Sequence, residues 1–126
     1  MKVLKTYSWK NGIDILKKRY PKEFQEIIDA IEHVNSEKHR TKQSKEKTRQ
    51  FKMLFSPSQL NKTILDNYLY KRGWKKPKVM LDKEGHFIEG DGVKNRVGLE
   101  IQFGKYAFTG WDIFGKMVIA THSSFK

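Results

Sequence analysis

Asp91, Glu100 and Gln102 are the residues of this chain whose types and spacing best suit chemistry. From Arg96 to Phe103 the sequence RVGLEIQF alternates as a half-buried strand does. Val97, Leu99, Ile101 and Phe103 fall on one face, and Arg96, Gly98, Glu100 and Gln102 on the other. A carboxylate and a carboxamide then share a face about 7 Å apart, within reach of one ion or one water. Asp91 lies upstream across a turn-prone link, Gly92 to Asn95, so an antiparallel or bent approach returns its carboxylate to Glu100. Two hard oxygen ligands beside a neutral hydrogen-bonding group suit Mg2+ better than Zn2+. A turn aspartate and a solvated strand glutamate fit the same residues, and spacing alone leaves both readings open.

The surroundings that must position these groups belong to a basic, cysteine-free chain. At 126 residues and 37% hydrophobic content, one core and one domain over residues 1–126 are expected. The formal charge of +12 points to an anionic partner, nucleic acid ahead of membrane. Without cysteine there are no disulfides, thiolate zinc sites or cysteine nucleophiles, and the four histidines form no i, i+4 pair that would suggest a histidine metal site. Neither a membrane-length apolar run nor a signal-peptide core is present, so a soluble protein of the cytoplasm is expected.

In chain order, Val3 to Trp9 reads as a weak strand. Asn11 with Asp14 resembles an N-cap opening a short helix through Ile13, Leu16 and Tyr20. Pro21 opens a second helix whose apolar stripe is Phe24, Ile27, Ile28, Ile31 and Val34. Ser36 to Lys52 is a cationic run without an amphipathic stripe, and Lys38, Arg40, Lys42, Lys45, Lys47 and Arg49 are its candidate phosphate contacts. Ser56-Pro57-Ser58-Gln59 is a capping-box start for a helix with Leu60, Ile64, Leu65, Tyr68 and Leu69 inward, stopped at Gly73. Trp74 reads as a core or hairpin anchor. Lys78 to Leu81 and Gly85 to Glu89 read as strands around an Asp82 to Gly85 turn. Beyond Gly104 a helix is expected through Ala107, Trp111, Phe114 and Val118, with Gly110 and Gly115 at close packing and a polar end from Thr121.

Asp91, eight intervening residues and Glu100-Ile101-Gln102 resemble the D…E-x-Q variant of the PD-(D/E)XK nuclease motif. The wording VGLEIQFGKYAF, together with RTKQSKEKTRQ (Arg40 to Gln50) and LFSPSQLN (Leu54 to Asn61), is similar to the BglII/BstYI group of type II restriction endonucleases. The resemblance implies an α/β (α+β) fold with a restriction-endonuclease-like core, a short mixed sheet flanked by helices. It implies Mg2+-dependent hydrolysis of double-stranded DNA at a GATC-containing palindrome, with Mn2+ as a substitute metal.

In that reading Asp91, Glu100 and the carbonyl of Ile101 hold the metal, and Gln102 orients the attacking water. Lys105 either supplies the charge that glutamine lacks or contacts a base. A homodimer on DNA and a cognate methyltransferase in the host complete the implied system. Members of the group normally continue further past the E-x-Q strand, so the chain reads as a compact or C-terminally incomplete version. The alternative function is a catalytically inactive or truncated DNA-binding domain that keeps the nuclease core.

Overall fold

The computed structural model describes residues 1–45, 47–49, 52–103, 110, 111 and 115. The chain divides into two compact units, Met1–Lys71 and Arg72–Lys126.

In the first unit, residues 1–8 form no strand; Leu4, Tyr7 and Trp9 are exposed, with Lys5 over the Tyr7 ring and Lys10 over the Trp9 ring. Helix α1 (Gly12–Arg19) starts after Asn11, but Asn11 is left-handed at φ 60° and its side chain does not cap. Ser8 does so instead, its Oγ accepting from the Ile13 N–H at 3.0 Å. Helix α2 (Pro21–His33) begins at its proline as expected. Its most buried line is Glu23, Glu26, Ala30 and the following Val34, set one notch from the expected stripe, whose Phe24, Ile27, Ile28 and Ile31 are half-buried. Both buried acids are partnered, which is what makes their burial tolerable.

The cationic run forms more structure than its composition announces. A short 3-10 turn (Ser36–His39) leads into β1 (Arg40–Gln43), which pairs antiparallel with β2 (Met53–Phe55). Helix α3 (Pro57–Ile64) follows Ser56 in extended conformation. The capping box does not close: Ser56 Oγ meets Ser58 Oγ at 3.1 Å, and Gln59 turns to β1, where it accepts from Thr41 Oγ1 at 3.0 Å. The helix widens into a π turn (Leu65–Leu69), tightens over Tyr70–Arg72 and stops at Gly73, φ 85°. Leu60, Ile64, Leu65 and Leu69 are buried as expected, while Tyr68 is half-buried beside His33, ring centroids 5.2 Å apart.

In the second unit the strands β3 (Lys78–Met80) and β4 (Phe87–Glu89) pair antiparallel around the expected turn. Strands β5 (Gly92–Lys94) and β6 (Val97–Leu99) form a second hairpin. Its ladder is extended by Lys75, which exchanges both backbone hydrogen bonds with Val93 at 3.0 and 2.8 Å. Trp74 is buried, as expected of an anchor, and its ring lies over Gly92, where an added Cβ would come within 3.3 Å of it. Gly110, Trp111 and Gly115 are helical, and a Cβ on Gly115 would meet the Trp111 ring at 2.5 Å, the close packing expected of that glycine. Ala107, Phe114, Val118 and the segment from Thr121 lie outside the described residues.

Every strand pair among the described residues is antiparallel. With the helices they give a mixed α/β architecture consistent with a restriction-endonuclease-like fold. Among the described residues no helix is long and apolar enough to cross a membrane.

Candidate active site

The β5–β6 hairpin places the two acids. The segment expected to be a loose link, Gly92 to Asn95, is mostly strand, and the turn is Asn95-Arg96, both with positive φ (47° and 69°). Arg96 is therefore a turn residue and not the first residue of the strand, because a tight two-residue hairpin needs left-handed residues there. The register pairs Lys94 with Val97, Val93 with Gly98 and Gly92 with Leu99. Carried one step on, it sets Asp91 opposite Glu100 at the open end of the hairpin. Directly opposed residues have their Cβ atoms roughly 5 Å apart on one face, so in that extended register an aspartate and a glutamate nine residues apart by chain would be neighbours.

Side chains fix that arrangement further. Asp91 Oδ2 accepts the backbone N–H of Ile101 at 2.7 Å, tying the first acid to the E-x-Q segment itself. A carboxylate has about four acceptor sites, so this bond is compatible with an ion on the same group. Glu100 lies against Gly90: a Cβ added there would stand 3.0 Å from Glu100 Oε1 and 2.8 Å from Pro77 Cγ. Gly90 is itself held by its N–H to the Pro77 carbonyl at 3.1 Å. Asp91, Glu100 and Ile101 are each half-buried. Two carboxylates and a nearby carbonyl make an all-oxygen donor set of the kind that Mg2+ takes. Gln102 follows on the exposed side, and Lys105 lies outside the described residues.

The candidate phosphate contacts are in the first unit. Lys38 is exposed in the 3-10 turn, Arg40 and Lys42 are exposed on β1, and Lys45 and Lys47 are exposed beyond it. Arg49 belongs to the short turn Lys47–Arg49, and its side chain lies outside the described residues. Arg40 is already engaged: its Nε is 2.7 Å and its Nη2 3.2 Å from the Glu37 carboxylate, and its guanidinium lies over the Phe55 ring at 4.4 Å.

Sequence reasoning missed Gly90 and Pro77, because their role is a close approach made by Glu100, which no spacing announces. It read Asp82 to Gly85 as a turn and did not group Asp82, Glu84 and His86, whose donor atoms lie within 4.8 Å of one another; their strict alternation was the available signal. All three are exposed, and their contacts account for the turn they sit in. Asp82 Oδ1 accepts from the N–H groups of Glu84 (2.9 Å) and His86 (3.1 Å), and Oδ2 lies 2.5 Å from His86 Nδ1. The His86 hydrogen bond holds the Asp82 carboxyl below its ordinary value. Glu89, which forms an ion pair with Lys76, is likewise lowered, first by the Lys76 hydrogen bond.

The mixed α/β chain thus brings an aspartate and the E-x-Q segment together just past one hairpin. The family model Restriction endonuclease BglII/BglIII matches residues 4–124, and the chain belongs to that family. It is thus a type II restriction endonuclease, a hydrolase of a restriction system that acts on DNA. No curated protein matches the chain at a significant level.

Proposed function

We propose that the protein cuts both strands of duplex DNA at a GATC-containing palindrome in a Mg2+-dependent reaction, with Asp91, Glu100 and Gln102 as catalytic residues. The observation that supports this reading is the Asp91 carboxylate accepting the Ile101 N–H at 2.7 Å, just beyond a β5–β6 register whose last pair is Gly92 with Leu99. Asp91, Glu100 and the Ile101 carbonyl would hold Mg2+, or Mn2+ in its place, which when bound supplies positive charge to the scissile phosphate and acidity to the attacking water. Asp91 accepts the Ile101 N–H, which supports a site that includes the carbonyl of the same residue. Gln102 orients the water through its carboxamide and donates to a phosphate oxygen. Being neutral, it adds no charge, and Lys105 is the cation that would compensate or would contact a base.

Lys38, Arg40, Lys42, Lys45, Lys47 and Arg49 hold the duplex by its phosphates. A palindrome is read by a two-fold dimer in which each protomer cuts one strand, so a homodimer on DNA is the working form. Its setting is the cytoplasm, alongside a methyltransferase that protects host DNA at the same site. The test is plasmid cleavage with Mg2+, with Mn2+ and with EDTA, on substrates that contain or lack GATC palindromes. Metal-dependent linear product only from GATC-bearing plasmids is expected. Metal-independent cutting, or equal cutting of both plasmids, overturns the reading.

A further inference from the structure

We propose that the β1–β2 ribbon is a base-reading element that enters the major groove, with Gln43 and Met53 selecting an A·T base pair. The inference rests on the reading that the chain acts on duplex DNA, and it assigns specificity to a segment so far given only phosphate contacts.

The register decides which side chains share a face. Arg40 pairs with Phe55, Lys42 with Leu54 and Gln43 with Met53, with a bulge between Arg40 and Lys42. Met53 and Phe55 are two apart on one strand and point the same way, so their partners Gln43 and Arg40 join them. The bulge is what brings two β1 residues three apart onto one face. Lys42 and Leu54 take the other face, where Leu54 is half-buried.

The Gln43 face is open and its base is fixed. All four residues of β1 are exposed, and Met53 and Phe55 remain 45% and 38% exposed despite their apolar character. The root of the ribbon is pinned to α3 by the Ser56 N–H on the His39 carbonyl (2.9 Å), Thr41 Oγ1 on Gln59 Oε1 (3.0 Å) and the His39 Nε2 contact with Thr63 Oγ1 (3.2 Å). Arg40 pairs with Glu37 at the surface and lies over Phe55. The Gln43 carboxamide is exposed and has no hydrogen-bond partner among the described residues.

The chemistry of this face matches one base pair. A glutamine carboxamide donates to N7 and accepts from N6 of adenine, and an apolar side chain beside it meets the methyl group of the paired thymine. A two-stranded ribbon fits the major groove, about 12 Å wide. The partner is nucleic acid and not an apolar protein surface because exposed Lys45, Lys47 and Lys52 border the ribbon, with exposed Lys42 on its other face, in a chain of net charge +12. Phosphates on both sides of the groove meet those lysines while Gln43 and Met53 face the bases.

The experiment is selection of bound sequences from a randomised duplex library, in Ca2+ to avoid cutting, with wild type, Gln43→Ala, Gln43→Glu and Lys42→Gln, followed by affinities on the selected duplex at several salt concentrations. Wild type should select a motif with a required A·T pair. Gln43→Ala should relax that one position, losing roughly tenfold on the preferred duplex with the salt slope unchanged, and Gln43→Glu should shift the position toward cytosine. Lys42→Gln should instead weaken all sequences and lower the slope by about 0.9. If wild type selects a motif that both Gln43 variants retain, the ribbon is not a reader although site-specific binding stands. If wild type selects no motif, site-specific binding and the ribbon's role fall together. A Met53→Ala change that alters sedimentation but not the motif makes the ribbon a protein contact and overturns the inference.

Discussion

Two antiparallel hairpins of nearly equal strand length carry opposite chemistry. The β5–β6 hairpin buries Gly92 and Val97 with Trp74 over its first strand, and its half-buried acids stand at the open end. The β1–β2 ribbon exposes every residue of its first strand and is surrounded by lysines. A packed hairpin can hold two carboxylates near one another against their repulsion, because tertiary contacts fix the backbone that carries them. An exposed ribbon pinned at its root can adjust to a surface that it meets. The difference teaches where precision is needed: sub-ångström placement for metal ligands, shape and charge for a groove.

The largest expected effect tests the packed hairpin. Glu100→Gln and Asp91→Asn each remove a ligand charge, and turnover should fall by at least roughly 10³-fold, about 4 kcal/mol of barrier at 1.36 kcal/mol per decade. Asp91→Asn keeps an oxygen for the Ile101 N–H, so its loss of activity should come without loss of fold. Single-turnover cleavage beside thermal melting and Ca2+-supported DNA binding separates the two. Wild-type cutting by both variants removes the site from this hairpin.

The exposed ribbon should fail in a different way. Replacing Lys42, Lys45 and Lys47 together by glutamine should lower the salt slope of DNA binding by up to roughly 3 units, which makes affinity about 40-fold less sensitive to a change from 50 to 200 mM salt. Fluorescence anisotropy on unrelated duplexes should give the same change on each. A slope left unchanged would make these lysines solvated bystanders.

What was legible in the sequence is what local chemistry writes. Pro21 and Ser56-Pro57 mark helix starts, Gly73 a stop, Asp82 to Gly85 a turn, and Trp74 an anchor, and each holds in the structure. The pairing of Arg40–Gln43 with Met53–Phe55 was not legible, since both segments are short, one is almost wholly polar, and only the partner strand completes either. The β5–β6 turn hid for another reason. Tight hairpins favour Asn-Gly, and here arginine occupies the second left-handed position at a cost of about 1 kcal/mol. The two acids were legible as residue types and spacing, but not the close approach of Glu100 to Gly90 beside Pro77.

That contact gives a subtler way to break the packed hairpin. Gly90→Ala would place a methyl group 2.8 Å from Pro77 Cγ and 3.0 Å from Glu100 Oε1, so the Pro77 ring must shift and Glu100 must also give way. Glu100 is the more easily displaced, being a flexible side chain beside a ring. Turnover should fall by about tenfold and half-saturating Mg2+ should rise, with a stability loss of about 1 kcal/mol. Metal titration of the cleavage rate checks it: an unchanged Mg2+ dependence would mean that the shift at Pro77 relieves both contacts and Glu100 stays.

The smallest effect asks whether all acids of the second unit are of one kind. Asp82 holds a turn, while Asp91 and Glu100 are the proposed ligands. The Asp82 carboxyl is lowered from its ordinary 3.8, first by the His86 hydrogen bond. A carboxyl whose folded value is depressed adds stability above its unfolded value and loses it as pH falls through the folded one. The β3–β4 turn should therefore hold above about pH 4 and loosen below it. The readout is amide protection at Glu84 and His86, whose N–H groups bond to Asp82, corrected for the intrinsic pH dependence of exchange. Protection should fall in acid in wild type and be flatter with pH in Asp82→Asn. Added Mn2+ sharpens the distinction, since it should broaden resonances near Asp91, Glu100 and Ile101 before those of the turn. Broadening centred on His86 would make Asp82, Glu84 and His86 the metal ligands and leave the hairpin acids with a structural role.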